Sequence, residues 1–216
     1  MCAALSLSLY LYQKKGLVSL NITAIYGSPR KGGNTDLLMR SFLEGVRAAG
    51  GTAQELFLRN FRVWPCTACG GCARTGRCVL DDDMEVLYRY FAESDVLVLA
   101  APVFFYGFGA MAKAMVDRCQ AFWVRRYRLK QDMNAERASG SGRGILLSVG
   151  GSGGARNFEG ILLSARYFFD ALGMSFAHHL TYGSVDEAGA ILRHPSACSD
   201  AGRLGREVVG KLTAKP

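Results

Sequence analysis

Four cysteines lie within thirteen positions of this 216-residue chain, in the spacing C-x2-C-x2-C-x5-C. They are Cys66, Cys69, Cys72 and Cys78, linked largely by small residues and glycines. Thiolates suit zinc or an iron–sulfur cluster. A structural zinc site usually separates two close pairs of ligands by a longer stretch, whereas three cysteines at equal spacing are typical of cubane ligation. The spacing therefore favours one [4Fe–4S] cluster held by all four thiolates, with zinc, or redox-active or non-ligating thiols, as the alternatives.

The other three cysteines, Cys2, Cys119 and Cys198, are isolated in the sequence and are predicted to be packing residues. An odd count with four tightly spaced members is not the even, dispersed framework of a secreted disulfide protein. No apolar run approaches the length of a membrane span. The apolar segment within 1–20 also lacks the preceding positive charge of a secretory signal. We therefore expect a cytoplasmic protein with an N-terminal arm at 1–20 and one domain at 21–216.

The loop at 27–35 gathers groups that can bind an anion. It follows a short apolar, β-branched run and precedes a helical pattern, so its backbone N–H groups stand at a helix N-terminus, where the dipole favours negative charge. Glycines let a phosphate approach the backbone, and Arg30 adds positive charge. The loop lacks the Lys-Ser or Lys-Thr of a Walker motif, and no G-x-G-x-x-G occurs in the chain. Phosphate binding is the prediction, and a plain loop with Asn34 as helix cap is the alternative.

Two further loops have the composition to receive a flat ligand. The segment 101–109 contains Pro102, four aromatic residues and two glycines, which suits an aromatic ring with polar edges; core packing of the aromatics is the alternative. The segment 150–154 is too rich in glycine to pack side chains, and its backbone N–H groups can lie beside a ring edge. Together the three loops converge on one nucleotide that carries a planar ring.

Strands and helices must position these loops. The hydrophobic pattern alternates short apolar runs with helical stripes five times, which predicts those elements. Near-continuous apolar strands separated by helices are typical of a parallel sheet covered on both faces. Ligands of such sheets bind beyond the carboxyl ends of the strands, which is where the three loops would lie. Strands are predicted at 21–26, 52–58, 95–101, 144–149 and 174–182.

Several loop and helix motifs resemble those of the NADPH-dependent FMN reductase family of flavodoxin-like proteins, over about residues 21 to 213. The resemblance implies a flavodoxin-like three-layer α/β sandwich with a five-stranded parallel sheet of order 2-1-3-4-5, and one FMN-binding domain at 21–216. Many relatives have Tyr where this chain has Phe104, so the hydrogen bond of that hydroxyl is lost here. The motifs are Gly27-Ser28-Pro29-Arg30, Gly33-Asn34-Thr35, Asp82-Asp83-Met84, Pro102-Val103-Phe104-Phe105-Tyr106-Gly107, Lys113 and Asp117-Arg118.

The same resemblance implies which residues would hold FMN. Its phosphate would be bound by the first loop, through Ser28, Arg30, Gly33, Asn34 and Thr35. Its isoalloxazine ring would be held by the second and third loops, through Pro102, Val103, Phe104, Phe105, Tyr106, Gly107 and Gly151.

The cysteine spacing resembles that of the iron–sulfur flavoproteins, a branch of the same family. This resemblance implies that a loop at 59–83 holds a [4Fe–4S] cluster and that electrons pass singly between cluster and FMN. It also implies a homodimer or homotetramer, because in that branch a cluster approaches the flavin of a neighbouring subunit. The redox partner would be NAD(P)H or a ferredoxin-like acidic electron carrier.

The chain carries a net charge of +8, and part of the excess lies in the segment 124–143. Its basic run is predicted to be a solvated surface, with docking of an acidic redox partner or of an NADPH phosphate as the alternative. Neither nucleic acid nor a membrane is expected to bind. The acids Asp81, Asp82 and Asp83 precede an apolar stripe and are predicted to cap a helix rather than to bind a metal ion.

These observations predict an oxidoreductase: an FMN-binding iron–sulfur protein that transfers electrons between a two-electron and a one-electron partner. The protein would hold the flavin, tune its potential and place it near the cluster, and no acid–base catalytic residue is predicted. One alternative is a cluster-free FMN-dependent NAD(P)H reductase of quinones or free flavin. The other is a non-enzymatic electron carrier or redox sensor.

Overall fold

The computed structural model describes residues 20–213, so the predicted N-terminal arm at 1–20 lies, apart from Leu20, outside the described residues. The strands are β1 (Ile22–Tyr26), β2 (Ala53–Phe57), β3 (Val96–Phe104), β4 (Gly107–Phe108), β5 (Gly142–Val149) and β6 (Met174–Tyr182). The helices are α1 (Asn34–Ala48), α2 (Met84–Glu93), α3 (Ala110–Arg118), α4 (Gln120–Trp123), α5 (Glu159–Ala171) and α6 (Ala197–Thr213). No helix within this range is long and apolar enough to cross a membrane.

The sheet has the order β2-β1-β3-β5-β6, with every neighbouring pair parallel, and β4 pairs with β3 in antiparallel sense. Counted among the parallel strands alone, this is the predicted order 2-1-3-4-5. Because β1 lies between β2 and β3, the strand order reverses there and leaves a crevice at the carboxyl edge. Tyr26 at the end of β1 pairs with Phe57 at the end of β2, so the loops after these strands leave the sheet side by side.

Helices cover both faces of the sheet, which gives the predicted three layers. The alternation of side chains along β3 shows the cause: Val96 and Val98 pack into the core under α1 and α6, whereas Leu97 and Leu99 pack into the core under α2, α3 and α5. All four side chains are fully buried. A strand that is apolar at every position therefore supplies both cores, as the continuous apolar runs predict.

The segment after β3 differs from the prediction of an irregular loop. The strand continues to Phe104 and turns back through a two-residue hairpin into β4. Phe105 and Tyr106 occupy the turn with φ of 46° and 63°, a backbone conformation that hairpins usually assign to Asn or Gly. The sequence prediction was wrong here because two aromatic residues carry none of the usual turn signals.

The segment 124–143 is only in part the solvated surface that the sequence predicts. It starts with a π-helical turn, Val124–Arg128, and its Arg137 side chain is buried. The Arg137 guanidinium donates to the carbonyl oxygens of Ser94 at 2.9 Å and Leu172 at 2.8 Å. This one residue therefore fastens the excursion to the layer of α2 and α5, a contact that a count of basic residues cannot anticipate.

Candidate functional site

A cleft lies at the carboxyl edge of the sheet, where the loops after β1, β3 and β5 meet the segment 185–188. Of the predicted cofactor residues, Ser28, Arg30, Gly33, Asn34, Thr35, Pro102, Val103, Phe104 and Gly151 line it, together with Pro29, Val149, Val185, Asp186 and Ala188. Phe105, Tyr106 and Gly107 are not among its lining residues, because the hairpin carries them beyond the end of the sheet.

One end of the cleft has the features of an anion site. Helix α1 begins at Asn34, and its N-cap residue, Gly33, has no side chain to bond the first-turn N–H groups. The Ser28 hydroxyl is buried beside them and accepts a hydrogen bond from the N–H of Arg30 at 3.1 Å. Thr35 is buried in the first turn, whereas Arg30 is exposed. An uncapped helix N-terminus with two hydroxyls and a cation fits a phosphate group.

The side chain of Asn34 does not cap α1, so the helix-cap role that the alternative gave to Asn34 is wrong. Its amide nitrogen donates to the carbonyl oxygen of Glu187 at 2.8 Å, and its amide oxygen accepts the N–H of Ile191 at 3.3 Å. Asn34 therefore ties the segment 187–191 to the start of α1. Its side chain positions one wall of the cleft.

Arg59 and Asp36 support the same loop and were missed by sequence reasoning. Arg59 donates to the backbone carbonyl of Ser28 at 3.4 Å and pairs with the carboxylate of Asp36 at 3.2 Å. Asp36 in turn accepts the N–H of Gly32 at 3.0 Å. Its other oxygen is buried and has no hydrogen-bond partner within the described residues. The position of Arg59 in the sequence could have identified it, because a cation two residues after β2 must lie beside the loop that follows β1.

The other end of the cleft is apolar and open. Pro102 and Val103 are half-buried, and Phe104 is 44% exposed. The ring of Phe104 lies against Gly109, where an added Cβ would come within 2.7 Å of it. Across the cleft, Gly151 faces Asp186, and an added Cβ would lie 3.2 Å from a carboxylate oxygen, which is closer than an ordinary contact. An exposed apolar wall opposite a backbone edge fits a flat ring with polar edges.

The four clustered cysteines line a second cavity of about 450 Å³. Cys66 and Cys69 are exposed, and Cys72 and Cys78 are half-buried. The chain bends around the cavity through residues with positive φ, among them Ala68 and the glycines at 70 and 76. The opposite wall comes from the end of α3, from α4 and from the π-helical turn that follows it, and includes Asp117, Arg118, Gln120, Ala121, Val124 and Arg128.

The donor set of this cavity is four thiols, and the six cysteines of the described range are all free. Burial raises the pKa of Cys72, and the neighbouring thiols of Cys78, Cys66 and Cys69 raise it further. The four sulfurs therefore repel each other as thiolates, a repulsion that a bound cationic centre relieves. Within residues 20–213 no three His, Cys, Asp or Glu side chains converge on one metal ion. The donor chemistry fits thiolate ligation, while the sulfurs share a cavity rather than a single-ion site.

A buried ion pair holds the base of the cysteine-bearing segment. Arg118 donates to both carboxylate oxygens of Asp82, at 2.6 and 3.0 Å, and the side chains are 1% and 0% exposed. Burial alone would raise the pKa of Asp82, but hydrogen bonds from Arg118 and from the N–H groups of Trp64 and Met84 outweigh it and lower that pKa. The helix-cap prediction for the acids is incomplete. Asp82 accepts the first N–H of α2 at 3.1 Å, but its carboxylate also forms the ion pair with Arg118.

The two cavities lie at opposite ends of α3. The helix begins after Gly109, which contacts Phe104 of the cleft, and ends at Arg118, which lines the cysteine cavity. A helix of nine residues is about 13 Å long. Among the described residues the two cavities share no lining residue. The helix therefore runs from the apolar wall of the cleft to the wall of the cysteine cavity.

Residues 20–183 match the protein family described as NADPH-dependent FMN reductase. The chain belongs to that family. Membership of the FMN reductase family supports FMN as the cofactor and a redox flavoprotein as the class of protein. The flavodoxin-like α/β architecture described above is confirmed by solved structures, of which the NAD(P)H:quinone oxidoreductase from Methanothermobacter marburgensis is one example. It superposes with a TM-score of 0.63 at 17% identity, over 88% of this chain and 99% of that chain.

Two curated relatives in this family are informative. The chain is 36% identical to an iron–sulfur flavoprotein of Methanosarcina thermophila over 133 residues, which are 62% of this chain and 64% of that protein. It is 26% identical to a Bacillus subtilis (strain 168) protein provisionally named an NAD(P)H-dependent FMN-containing oxidoreductase, over 86% of this chain and 96% of that protein. The chain spans between 45% and 64% of the length of the iron–sulfur flavoproteins that it matches.

Proposed function

We propose that this protein is an oxidoreductase that binds FMN and one [4Fe–4S] cluster and transfers electrons between a two-electron and a one-electron partner. The observation that carries the proposal is the coexistence in one chain of a cleft with one polar and one apolar end and a cavity lined by four free thiols. The redox family of the chain and its iron–sulfur flavoprotein relatives support the same combination.

In this proposal the uncapped start of α1 and the hydroxyls of Ser28 and Thr35 hold the flavin phosphate, with charge from Arg30. Pro102, Val103 and Phe104 lie along the ring, and the backbone of Gly151 meets its edge. Bound FMN supplies a centre that exchanges electrons singly or in pairs. The roles of the chain are to bind and orient the ring and to keep water from its apolar face. Contacts from Phe105, Tyr106 and Gly107 stay predictions, because these residues lie outside the cleft wall.

In the second cavity, Cys66, Cys69, Cys72 and Cys78 would be the four ligands. A [4Fe–4S] cluster supplies one-electron chemistry, which is what a partner limited to single electrons requires. Support comes from the soft donor set and from the shared cavity of the thiols. Zinc suits the same donor chemistry, so it is an outcome of the test below.

The partner proposed for the cluster side is an acidic, ferredoxin-like carrier, with NAD(P)H as the donor at the flavin. Arg74 and Arg77 are exposed within the cysteine-bearing segment, and Arg128 is exposed at the cavity wall. Such charge speeds the encounter with an acidic protein.

We also propose a homodimer or homotetramer, since a helix about 13 Å long separates the two sites of one chain and a neighbouring subunit offers another approach. Free thiols suit the reducing cytoplasm.

The test is an anaerobic preparation of the full chain with iron, acid-labile sulfide and flavin measured per chain. The proposal expects about one FMN and, for one cubane, four iron and four sulfide. The variant Cys69→Ser should lose iron and sulfide and keep flavin, while Cys198→Ser, outside the cavity, should keep all three. Wild-type protein with flavin and zinc but no sulfide would refute the cluster and leave the flavin site standing.

A second candidate is a cluster-free NAD(P)H-dependent flavin reductase. It is favoured by the near full-length match to the Bacillus subtilis relative, which covers 96% of that protein. NADPH oxidation with quinone or free flavin as acceptor, undiminished in Cys69→Ser, would favour this candidate. Bound flavin and cluster with negligible turnover would instead favour the non-enzymatic carrier or sensor.

A further inference from the structure

The segment that carries the four cysteines (residues 59–83, the cysteine loop) is tied at both ends to the buried ion pair of Asp82 and Arg118. We propose that this pair positions the cysteine loop for its metal centre and that the positive charge of Arg118 raises the reduction potential of that centre. The first claim, that the pair positions the loop (the positioning half), concerns hydrogen bonds within this chain. The second claim, on the reduction potential (the electrostatic half), rests on the proposed function.

Arg118 contacts the chain on both sides of the cysteines. Its Nη1 donates to the carbonyl oxygen of Trp64 at 2.9 Å, and its Nη2 donates to that of Leu80 at 3.4 Å. Trp64 lies two residues before the first of the four cysteines, and Leu80 lies two residues after the last. Asp82 completes the closure by accepting the N–H of Trp64 at 2.8 Å. One guanidinium and one carboxylate therefore join the two ends of the loop, beside the hydrogen bonds between Arg62 and Asp83.

Outside this closure, the loop is held by hydrogen bonds between Arg62 and Asp83 at its ends and from Arg125 to Gly76. Between its ends the backbone forms short turns, such as those from Gly70 to Ala73 and from Cys72 to Gly76, and most of its residues are exposed. Metal binding to such a segment has to remove conformational entropy. Fixing the ends shortens the free chain and lowers the entropy that remains to be lost.

The positive charge of Arg118 also lies at the wall of the cysteine cavity. It lines the cysteine cavity, its side chain is 1% exposed, and its buried Nε has no hydrogen-bond partner in the part of the chain that the structure describes. Burial lowers the pKa of Arg118, but the hydrogen bond to Asp82 and the nearby Tyr88 and Cys78 raise it above its ordinary value. Its charge is thus retained, and Cys78 is close enough to interact with it.

Other cations near the cavity differ from Arg118 in their exposure. Arg128 is exposed to solvent, and Arg125 is half-buried with its Nε bonded to the carbonyl oxygen of Gly76 at 3.0 Å. Solvent and salt screen exposed charges strongly and buried charges much less. Reduction adds one negative charge to a thiolate-ligated cluster, so a buried cation stabilises the reduced form more than the oxidised form.

The ion pair allows the two halves of the proposal to be separated. Asp82→Asn keeps a hydrogen-bond acceptor but leaves the charge of Arg118 uncompensated, which should raise the potential. Arg118→Gln leaves the negative charge of Asp82 uncompensated, which should lower it. A merely structural role, in which either variant loosens the loop and admits water, would move both potentials in the same direction.

The experiment compares the anaerobically purified full chain with Asp82→Asn, Arg118→Gln and the control Arg203→Gln. Arg203 forms an exposed pair with Asp200 on α6, away from the cysteine loop. Iron and sulfide per chain report cluster content, and bound FMN reports folding. Dithionite, which supplies the single electron gained by the cluster, is titrated with mediators at pH 8 to give the potential. Hydrogen exchange of the Trp64 amide reports loop closure with or without metal.

We expect the two variants to shift the one-electron equilibrium about tenfold in opposite directions, ~59 mV each. We also expect exchange at Trp64 to quicken about tenfold in both, with Arg203→Gln unchanged. Shifts of the same sign, or none at full cluster content, would overturn the electrostatic half. Unchanged exchange at Trp64 would overturn the positioning half.

Two remaining outcomes are also decisive. Wild-type protein without iron and sulfide would refute the proposed function together with the claim on potential, while the Trp64 amide still decides the positioning claim. If Arg118→Gln fails to bind FMN, Arg118→Lys replaces it, because lysine keeps the charge and loses the forked geometry. Arg118→Lys should quicken exchange at the Trp64 amide, because Asp82, its acceptor, loses the fork that fixes it, and should leave the potential unchanged. A potential lowered as far as a charge-neutral substitution of Arg118 should lower it would contradict the proposal.

Discussion

Arg118 and Asp82 are joined by two hydrogen bonds, of 2.6 and 3.0 Å, although 36 residues separate them and neither side chain reaches solvent. The pair links the end of α3 to the start of α2 and, through Trp64, to the beginning of the cysteine loop. A buried pair of this kind is costly to break, because removal of one partner leaves the other charge in the interior without compensation.

The first prediction concerns the stability of this pair. Arg118→Met should lower the free energy of unfolding by about 3–5 kcal/mol, because Asp82 then stays buried and unpaired. Urea unfolding of the metal-free protein at pH 7 measures the change. The exposed pair of Arg203 and Asp200 serves as control, and Arg203→Met should cost no more than about 1 kcal/mol. Equal losses in the two variants would contradict the assignment.

A second prediction follows from the lowered pKa of Asp82. The folded protein favours the ionised carboxylate, so this group stabilises the fold above the ordinary carboxyl pKa of about 3.9, and the contribution is lost as pH falls through the folded value. As pH falls below about 4, the free energy of unfolding should therefore drop more steeply in the wild type than in Asp82→Asn. Parallel curves for the two proteins would count against this role of Asp82.

Thiol reactivity gives a third prediction. In metal-free protein at neutral pH, Cys66 and Cys69 should be alkylated first because both are exposed. Cys72 should react more slowly because burial raises its pKa, and the thiolate is the reactive form. Cys119 should stay unmodified until the protein unfolds, since it is fully buried and its pKa is raised by that burial. Peptide mass mapping after timed iodoacetamide treatment measures this order, and early modification of Cys119 would contradict it.

The fourth prediction separates the two ends of the cleft. Ser28→Ala and Arg30→Gln should each weaken FMN binding, by about tenfold where one hydrogen bond to a charged group is lost. Neither change should weaken binding of riboflavin, which lacks the phosphate. Fluorescence titration of the flavin-free protein with both ligands measures the difference, and Arg156→Gln, on an exposed residue outside the cleft, is the matched control. Equal weakening for both ligands would place these residues elsewhere than at the phosphate.

The local hydrophobic pattern was sufficient to predict a parallel sheet and the edge at which the cleft lies, whereas the strand order came from the family resemblance. This succeeded because side-chain alternation along strands such as β3 decides which layers form, and that alternation is visible in sequence. Pro102, Val103 and Phe104 line the cleft because they end a strand of this sheet. The shared site of the four cysteines was predictable for a different reason: residues this close in sequence must also lie close in space.

Contacts between distant residues depended on the tertiary structure. The pairs of Arg118 with Asp82 and of Arg59 with Asp36 join separate elements, and no periodicity in the chain marks such partners. The hairpin at Phe105 and Tyr106 is likewise held by its register with β3 and by α5, where Gly160 leaves space for the carbonyl of Tyr106. Composition and spacing thus determined which chemical groups this protein has, because those depend on the residues alone. Packing decided which of them meet, because burial and hydrogen bonding between remote segments exist only once the layers are assembled.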